Sequence, residues 1–175
     1  MSSFRREFNA RSRSRFRQRK TGAHRTDGSE AWAGEPARLR LHGARIFIAE
    51  DEVLIAMQLC DDLSEVGAQI VGPAHALAEA LALTGEAEIS AAILDCRLGR
   101  GSIEPVAGRL AQRGVPFLFY TGQTVSDPLL AGWPGVPIIG KPAASVTLID
   151  AVAGLLARRR TPRGPIPPPA RACGA

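Results

Sequence analysis

Arg45-Ile-Phe-Ile-Ala-Glu-Asp51 decides the fold: an unbroken apolar run ends on two adjacent carboxylates. A short run without polar alternation reads as a strand covered on both faces, as in a parallel sheet sandwiched by helices. Three further runs end in the same manner. Ala91-Ala-Ile-Leu94 leads into Asp95, Val115-Pro-Phe-Leu-Phe-Tyr120 into Thr121, and Val136-Pro-Ile-Ile139 into Lys141 across one glycine. If the four runs are parallel strands, their carboxyl ends share one edge, which is where open α/β sheets bind ligands. That edge then carries three carboxylates, a hydroxyl and an ammonium.

Such a set suits phosphoryl transfer. Carboxylates held close together repel one another unless a cation sits among them, so a divalent metal is implied. An all-oxygen donor set favours Mg²⁺, with Mn²⁺ as the alternative, over zinc, which prefers nitrogen and sulfur. Asp95, the single acid ending a continuous apolar strand, is the natural nucleophile toward phosphorus, with Glu50 and Asp51 as metal ligands. Thr121 offers a hydroxyl to one phosphoryl oxygen and Lys141 an ammonium to another. Taken singly, an acid or lysine after a strand is most often a solvated loop residue. It is the joint pattern, in this order, that carries the argument.

Between the runs the periodicity becomes helical. Leu54, Ile55, Gln58, Leu59, Asp62, Leu63 and Val66 predict a first helix stopped by Gly67, and residues 68–71 a second strand ended by Gly72-Pro73. Residues 74–83 read as an alanine-rich second helix closed by Gly85. Ser102 reads as the cap of a third helix through Leu110, with Glu104 and Pro105 suited to its first turn. Gly99-Arg-Gly101 reads as a flexible turn, because Glu104 stands where a dinucleotide-binding fingerprint needs its third glycine. Asp127-Pro128 starts a brief fourth helix broken by Gly132-Trp133-Pro134, and a last helix over about 143–158 places Val146, Ile149, Val152 and Leu156 on one face. Strict alternation predicts a flavodoxin-like, doubly wound five-stranded parallel sheet of order 2-1-3-4-5 with a shortened fourth helix.

From Arg45 to about Ala157 the chain resembles the receiver domain of two-component response regulators, with Glu50-Asp51, Asp95, Thr121 and Lys141-Pro142 in register with that family's motifs. Gly114-Val-Pro-Phe-Leu-Phe-Tyr-Thr-Gly122 is similar to the FATGUY subgroup of stand-alone receivers, whose Phe-Ala-Thr-Gly is matched here by Phe119-Tyr-Thr-Gly122. The resemblance implies a phosphoprotein of a phosphorelay, which takes a phosphoryl group from a histidine kinase or histidine phosphotransfer protein onto Asp95 as 4-aspartylphosphate. It implies signalling to a downstream protein target by contact, and self-catalysed phosphorylation and dephosphorylation rather than the turnover of a conventional enzyme. The carbonyl of Arg97 would complete the metal shell, and Arg97 and Gln123 would flank the water that hydrolyses the acyl phosphate. The partner surface would be the first helix and the loops around Asp95. Ile55 and Met57 are candidates for an apolar patch there, although the helical period favours the core for both.

The chain also departs from that pattern. Three residues before the lysine, where receivers carry a rotating aromatic, stands Ile138. The stretch from Thr121 to Lys141 is short and holds Gly132, Pro134, Gly135 and Pro137, so the expected output signal is a reordering of residues 122–137. The altered face around the short helix predicts a monomer or a weak dimer.

Charge divides the chain into a domain and two tails. Residues 1–40 hold eleven Lys/Arg against four acids and residues 158–175 five Arg and no acid, leaving six basic residues and thirteen acids between them, a net charge of −7. The expected organisation is a basic, disordered extension over 1–42, a receiver domain over 43–158 and a Pro/Arg-rich disordered tail over 159–175, with no effector domain. The Arg-rich run 11–20 admits three readings: nonspecific binding to nucleic acid, folding back onto the acidic domain, or an inert extension. Scattered Phe4, Phe8 and Phe16 give no stacking platform, so nucleic acid is not the expected partner. No apolar stretch reaches membrane-span length and no apolar signal region opens the chain, which predicts a cytoplasmic protein without a membrane partner.

Cys60, Cys96 and Cys173 lack disulfide or zinc spacing, and His24, His42 and His75 stand apart from any catalytic partner. Two rival functions remain. A nucleic-acid-associated protein would rest on the Arg-rich tail alone. A metal-dependent phosphatase of haloacid-dehalogenase type needs Asp-x-Asp after the first strand, where this chain has Glu50-Asp51-Glu52.

Overall fold

The structure is a computed structural model that describes residue 39 and residues 41–123 and 128–160, the last two by backbone alone. The expected tails therefore fall almost wholly outside the described residues. β1 (Arg45–Ala49) is flanked by β2 (Gln69–Ala74) and β3 (Ala91–Leu94), and β6 (Phe117–Thr121) and β7 (Ile138–Gly140) extend the sheet beyond β3. All four pairings are parallel and the order is β2-β1-β3-β6-β7. Two-residue strands β4 (Arg97–Leu98) and β5 (Gly101–Ser102) form a separate antiparallel hairpin. With that hairpin set aside, the sheet has the flavodoxin-like 2-1-3-4-5 order read from the sequence.

Strand pleating sends alternate side chains to opposite faces, and both faces are covered. Ile46, Ile48, Ile93 and Leu118 pack against Leu59 and Leu63 of α1 (Val53–Glu65) and Leu148 and Val152 of α5 (Ser145–Arg160). Phe47, Leu94, Phe117 and Phe119 pack against Ala80 of α2 (Leu77–Glu86), Val106 and Leu110 of α3 (Glu104–Gln112) and Leu130 of α4 (Pro128–Ala131). Each such large apolar side chain contributes about 1.5–3 kcal/mol by burial. Leu41 is fully buried in the α1/α5 cluster, so packing begins ahead of residue 43.

Several elements differ in detail from the sequence reading. β2 does not stop at Gly72-Pro73 but runs to Ala74, with a register shift opposite Phe47 and Ala49. It is an edge strand, where a proline forfeits no ladder hydrogen bond. Gly72 has φ +98°, and a Cβ there would stand 2.9 Å from both Ala74 N and Ile48 O. Gly72→Ala is therefore expected to cost about 1–3 kcal/mol, read as a lower urea midpoint with unchanged slope; an unshifted midpoint would show that this bend relaxes freely.

α2 continues past Gly85 because the guanidinium of Arg113 donates to the carbonyls of Thr84 and Ala87, and that of Arg109 to Leu81, at the helix end. In α1, Leu54 and Met57 face outward rather than into the core, leaving Ala56, Leu59 and Leu63 as the buried stripe. In α5 the buried stripe is Leu148, Val152 and Leu155, whereas Val146 is exposed. That helix carries apolar residues over more than half its circumference, so contact with the sheet rather than periodicity sets its rotation. α4 is a single turn, as expected, and Trp133 just after it is 2% exposed and edge-on to Phe117 with centroids 5.4 Å apart.

Candidate functional site

The ladder of the sheet positions the site. Asp95 N–H donates to Ala49 O at 2.9 Å, prolonging the β1–β3 pairing by one residue, and Glu50 N–H donates to Ala74 O at 3.0 Å from the other flank of β1. Lys141 N–H donates to Thr121 O at 3.0 Å. Every strand end is thus pinned by its neighbour, and the side chains meet in an open cleft lined by Asp51, Glu52, Asp95, Arg97, Tyr120, Thr121, Gln123 and Lys141, among others.

Lys141 is the hub. Its Nζ stands 2.7 Å from Glu50 Oε1, 2.7 Å from Asp95 Oδ2 and 3.3 Å from Glu52 Oε1. Glu50 is 1% exposed, and this burial pushes its carboxyl above the usual range, while the hydrogen bond and charge of Lys141 oppose the rise. Burial alone would lower the pKa of Lys141, but hydrogen bonds and charges of Asp95 and Glu50 outweigh it and hold the ammonium above the ordinary lysine value. The lysine is therefore a permanent cation.

Of the residues singled out from the sequence, Glu50, Asp95 and Lys141 meet directly. Thr121 ends β6, 1% exposed, and its Oγ1 accepts the Gln123 N–H at 3.2 Å. Asp51 is turned to the hairpin, its Oδ2 accepting the Gly99 N–H at 2.8 Å. Arg97 lies in β4 and is exposed at the cleft margin. Sequence reasoning passed over two residues. Glu52, read only as part of the acidic run, supplies with Glu50 and Asp95 the three carboxylate oxygens that lie within 4.8 Å of one another. His75, read as isolated, places Nδ1 2.7 Å from the carbonyl oxygen of Glu50, while its own N–H donates to Glu79 Oε2 at 2.9 Å. It steadies the acidic loop from β2, a contact that spacing along the chain does not reveal.

The donor set fits a hard divalent cation: it is all oxygen, anionic and reached from an open cleft. Glu50, Glu52 and Asp95 would hold it, with Asp51 beside them. Cys60 takes no part, its thiol pushed up by burial and by the charge of Asp61. Among the described residues no helix is long and apolar enough to cross a membrane.

No family model and no curated protein sequence matches the chain. Solved structures do. The receiver protein of Sinorhizobium medicae WSM419 matches at a TM-score of 0.61 and 24% identity, over 68% of this chain and 98% of that one. The response regulator REC domain of Erythrobacter litoralis PhyR matches at a TM-score of 0.61 and 28% identity, over 70% of this chain and 97% of that one. SdrG from Sphingomonas melonis Fr1 matches at 38% identity and a TM-score of 0.56, over 65% of this chain and 97% of that one. The chain belongs to the response regulator receiver family. Its packed region corresponds to nearly the whole length of each of these three structures.

Proposed function

We propose that this receiver accepts a phosphoryl group on Asp95 from a histidine kinase or a histidine phosphotransfer protein and signals through protein contacts. The observation that supports it most is the ammonium of Lys141 at 2.7 Å from both Glu50 and Asp95 on the sheet edge. A carboxylate oxygen of Asp95 attacks phosphorus, and the bond from phosphorus to the donor breaks with its electron pair left on the donor. The product is a mixed anhydride. Lys141 turns from the carboxylates to a phosphoryl oxygen, and Thr121 donates its hydroxyl to another. A bound Mg²⁺ would supply further neutralisation of the phosphoryl charge. Arg97 and Gln123, both exposed and lining the cleft, bear on access of the hydrolytic water.

The phosphoryl group reaches and leaves one residue of the protein itself, so the chain is a phosphoacceptor rather than a turnover enzyme. Val53, Leu54 and Met57 form an exposed apolar strip on α1, which starts two residues after Asp51. It is the docking face we assign to the phosphodonor protein. Phe119-Tyr-Thr-Gly122 supports placement in the FATGUY subgroup, and reordering of residues 122–137 remains the proposed output, although 124–127 lie outside the described residues.

Incubation with acetyl phosphate and Mg²⁺ is expected to add one phosphoryl unit by intact mass, and excess EDTA to prevent it. No gain with the metal present overturns the proposal; an equal gain in EDTA overturns the role of the metal.

A further inference from the structure

Tyr120 precedes Thr121 in β6, and pleating turns it to the opposite face. It is 6% exposed and, among the described residues, the one aromatic side chain in the α1/α5 cluster. Phe47, Phe117, Phe119 and Trp133 all pack on the other side, and Ile138 packs against them. The position where the resemblance called for an aromatic is therefore aliphatic and directed away from the α1/α5 cluster.

Tyr120 makes two contacts that no other residue combines among those described. Lys141 Nζ stands 5.6 Å from its ring centroid, within the range of cation–π attraction. Its hydroxyl accepts the Ala143 N–H at 3.4 Å, on the short link between Lys141 and the start of α5 at Ser145. The backbone bond to Thr121 adds a third connection. One side chain thus touches the cation, the strand of the hydroxyl and the approach to a helix.

We propose that Tyr120 is a positioning residue: its ring holds the Lys141 ammonium among the carboxylates, and its hydroxyl ties Lys141 to the start of α5. The inference rests on the phosphoacceptor reading. A phosphoryl group on Asp95 brings new negative charge toward which Lys141 moves, changing its place over the ring. The hydrogen bond to Ala143 is near the long limit for such a bond, so a small displacement of the ring makes or breaks it. The start of α5, where Val146 is exposed, then changes with the state of Asp95.

The test compares amide spectra of the ¹⁵N-labelled full chain with and without beryllofluoride and Mg²⁺, in wild type, Tyr120→Phe and Tyr120→Leu. In wild type, Gly99 beside the site and residues 143–147 are expected to shift. Tyr120→Phe keeps the ring, so the Gly99 shift should persist, showing a folded and loaded site, while the shifts over 143–147 fall by more than about half, since the tie is the hydroxyl alone. Tyr120→Leu should in addition slow phosphoryl uptake from acetyl phosphate about three- to fivefold, the scale of a lost cation–π contact. A full wild-type response over 143–147 in Tyr120→Phe, with Gly99 shifting normally, overturns this inference alone. Wild type in which neither Gly99 nor 143–147 responds overturns it together with the phosphoacceptor reading.

Discussion

Asp95→Asn is expected to take up no phosphoryl group from acetyl phosphate and Mg²⁺, under conditions in which the wild type gains one unit by intact mass. The carboxamide matches the carboxylate in shape but lacks an anionic oxygen, so it offers phosphorus no competent nucleophile. Its carbonyl oxygen still accepts from Lys141 Nζ, which stands 2.7 Å from Asp95 Oδ2 in the wild type, so the geometry of the cleft survives. The fold should survive as well. Lys141 retains its 2.7 Å contact with Glu50, and one of three crowded carboxylates has lost its charge, which relieves repulsion. Loss of uptake with an unchanged melting temperature therefore assigns the nucleophile. A full mass gain in the variant would move the acceptor elsewhere, to one of the other carboxylates in the cleft.

How far sequence carried this picture depended on which force set each feature. Parallel strands covered on both faces must be apolar throughout, and the first polar residue after each run must sit at the sheet edge. Ala91–Leu94 and Asp95 therefore emerged with their observed limits, and the order of the strands followed from alternation with helices. Where a side chain points after leaving the strand is another matter. Asp51 turns to Gly99 and Glu52 turns back to Lys141, a choice made by the β4–β5 hairpin, which is two residues a side and has no periodicity to read. Trp133 was read as part of a helix break, and it does follow the single turn of α4. Its ring nevertheless buries against Phe117, a contact set by the third dimension alone. Leu54 and Met57 fitted a helical period yet stay outside, because the period of α1 allows a wider stripe than the sheet has room to cover. Their exposure is what supports the docking face proposed for that helix.

Lys141→Met should produce the largest loss of stability. Among the described residues, the ion pairs of Glu50 and Asp95 are made with Lys141, and methionine leaves a carboxylate that is 1% exposed without a counter-ion. Removing one partner of such a buried pair costs about 3–5 kcal/mol. The cost must depend on pH in a definite direction. Burial already raises the pKa of Glu50 above its ordinary 4.5, so the folded state binds that proton more tightly than the unfolded state does. Ionised Glu50 therefore weakens the fold as pH rises past 4.5. Without Lys141 to oppose it the rise is larger, and the deficit of the variant grows between pH 4.5 and neutrality. The lysine itself does not relax this, because its pKa is raised above 10.5 against the effect of burial. Its stabilisation is fully present below 10.5 and lost only as pH climbs through the still higher folded value. Urea denaturation at pH 5 and pH 7.5 should show a gap between wild type and variant that is wider at pH 7.5, and added Mg²⁺ should narrow it by restoring a cation to the cluster. An equal gap at both pH values would mean that removing Lys141 does not raise the pKa of Glu50 further, and that the lysine is not the counter-ion of that buried carboxylate.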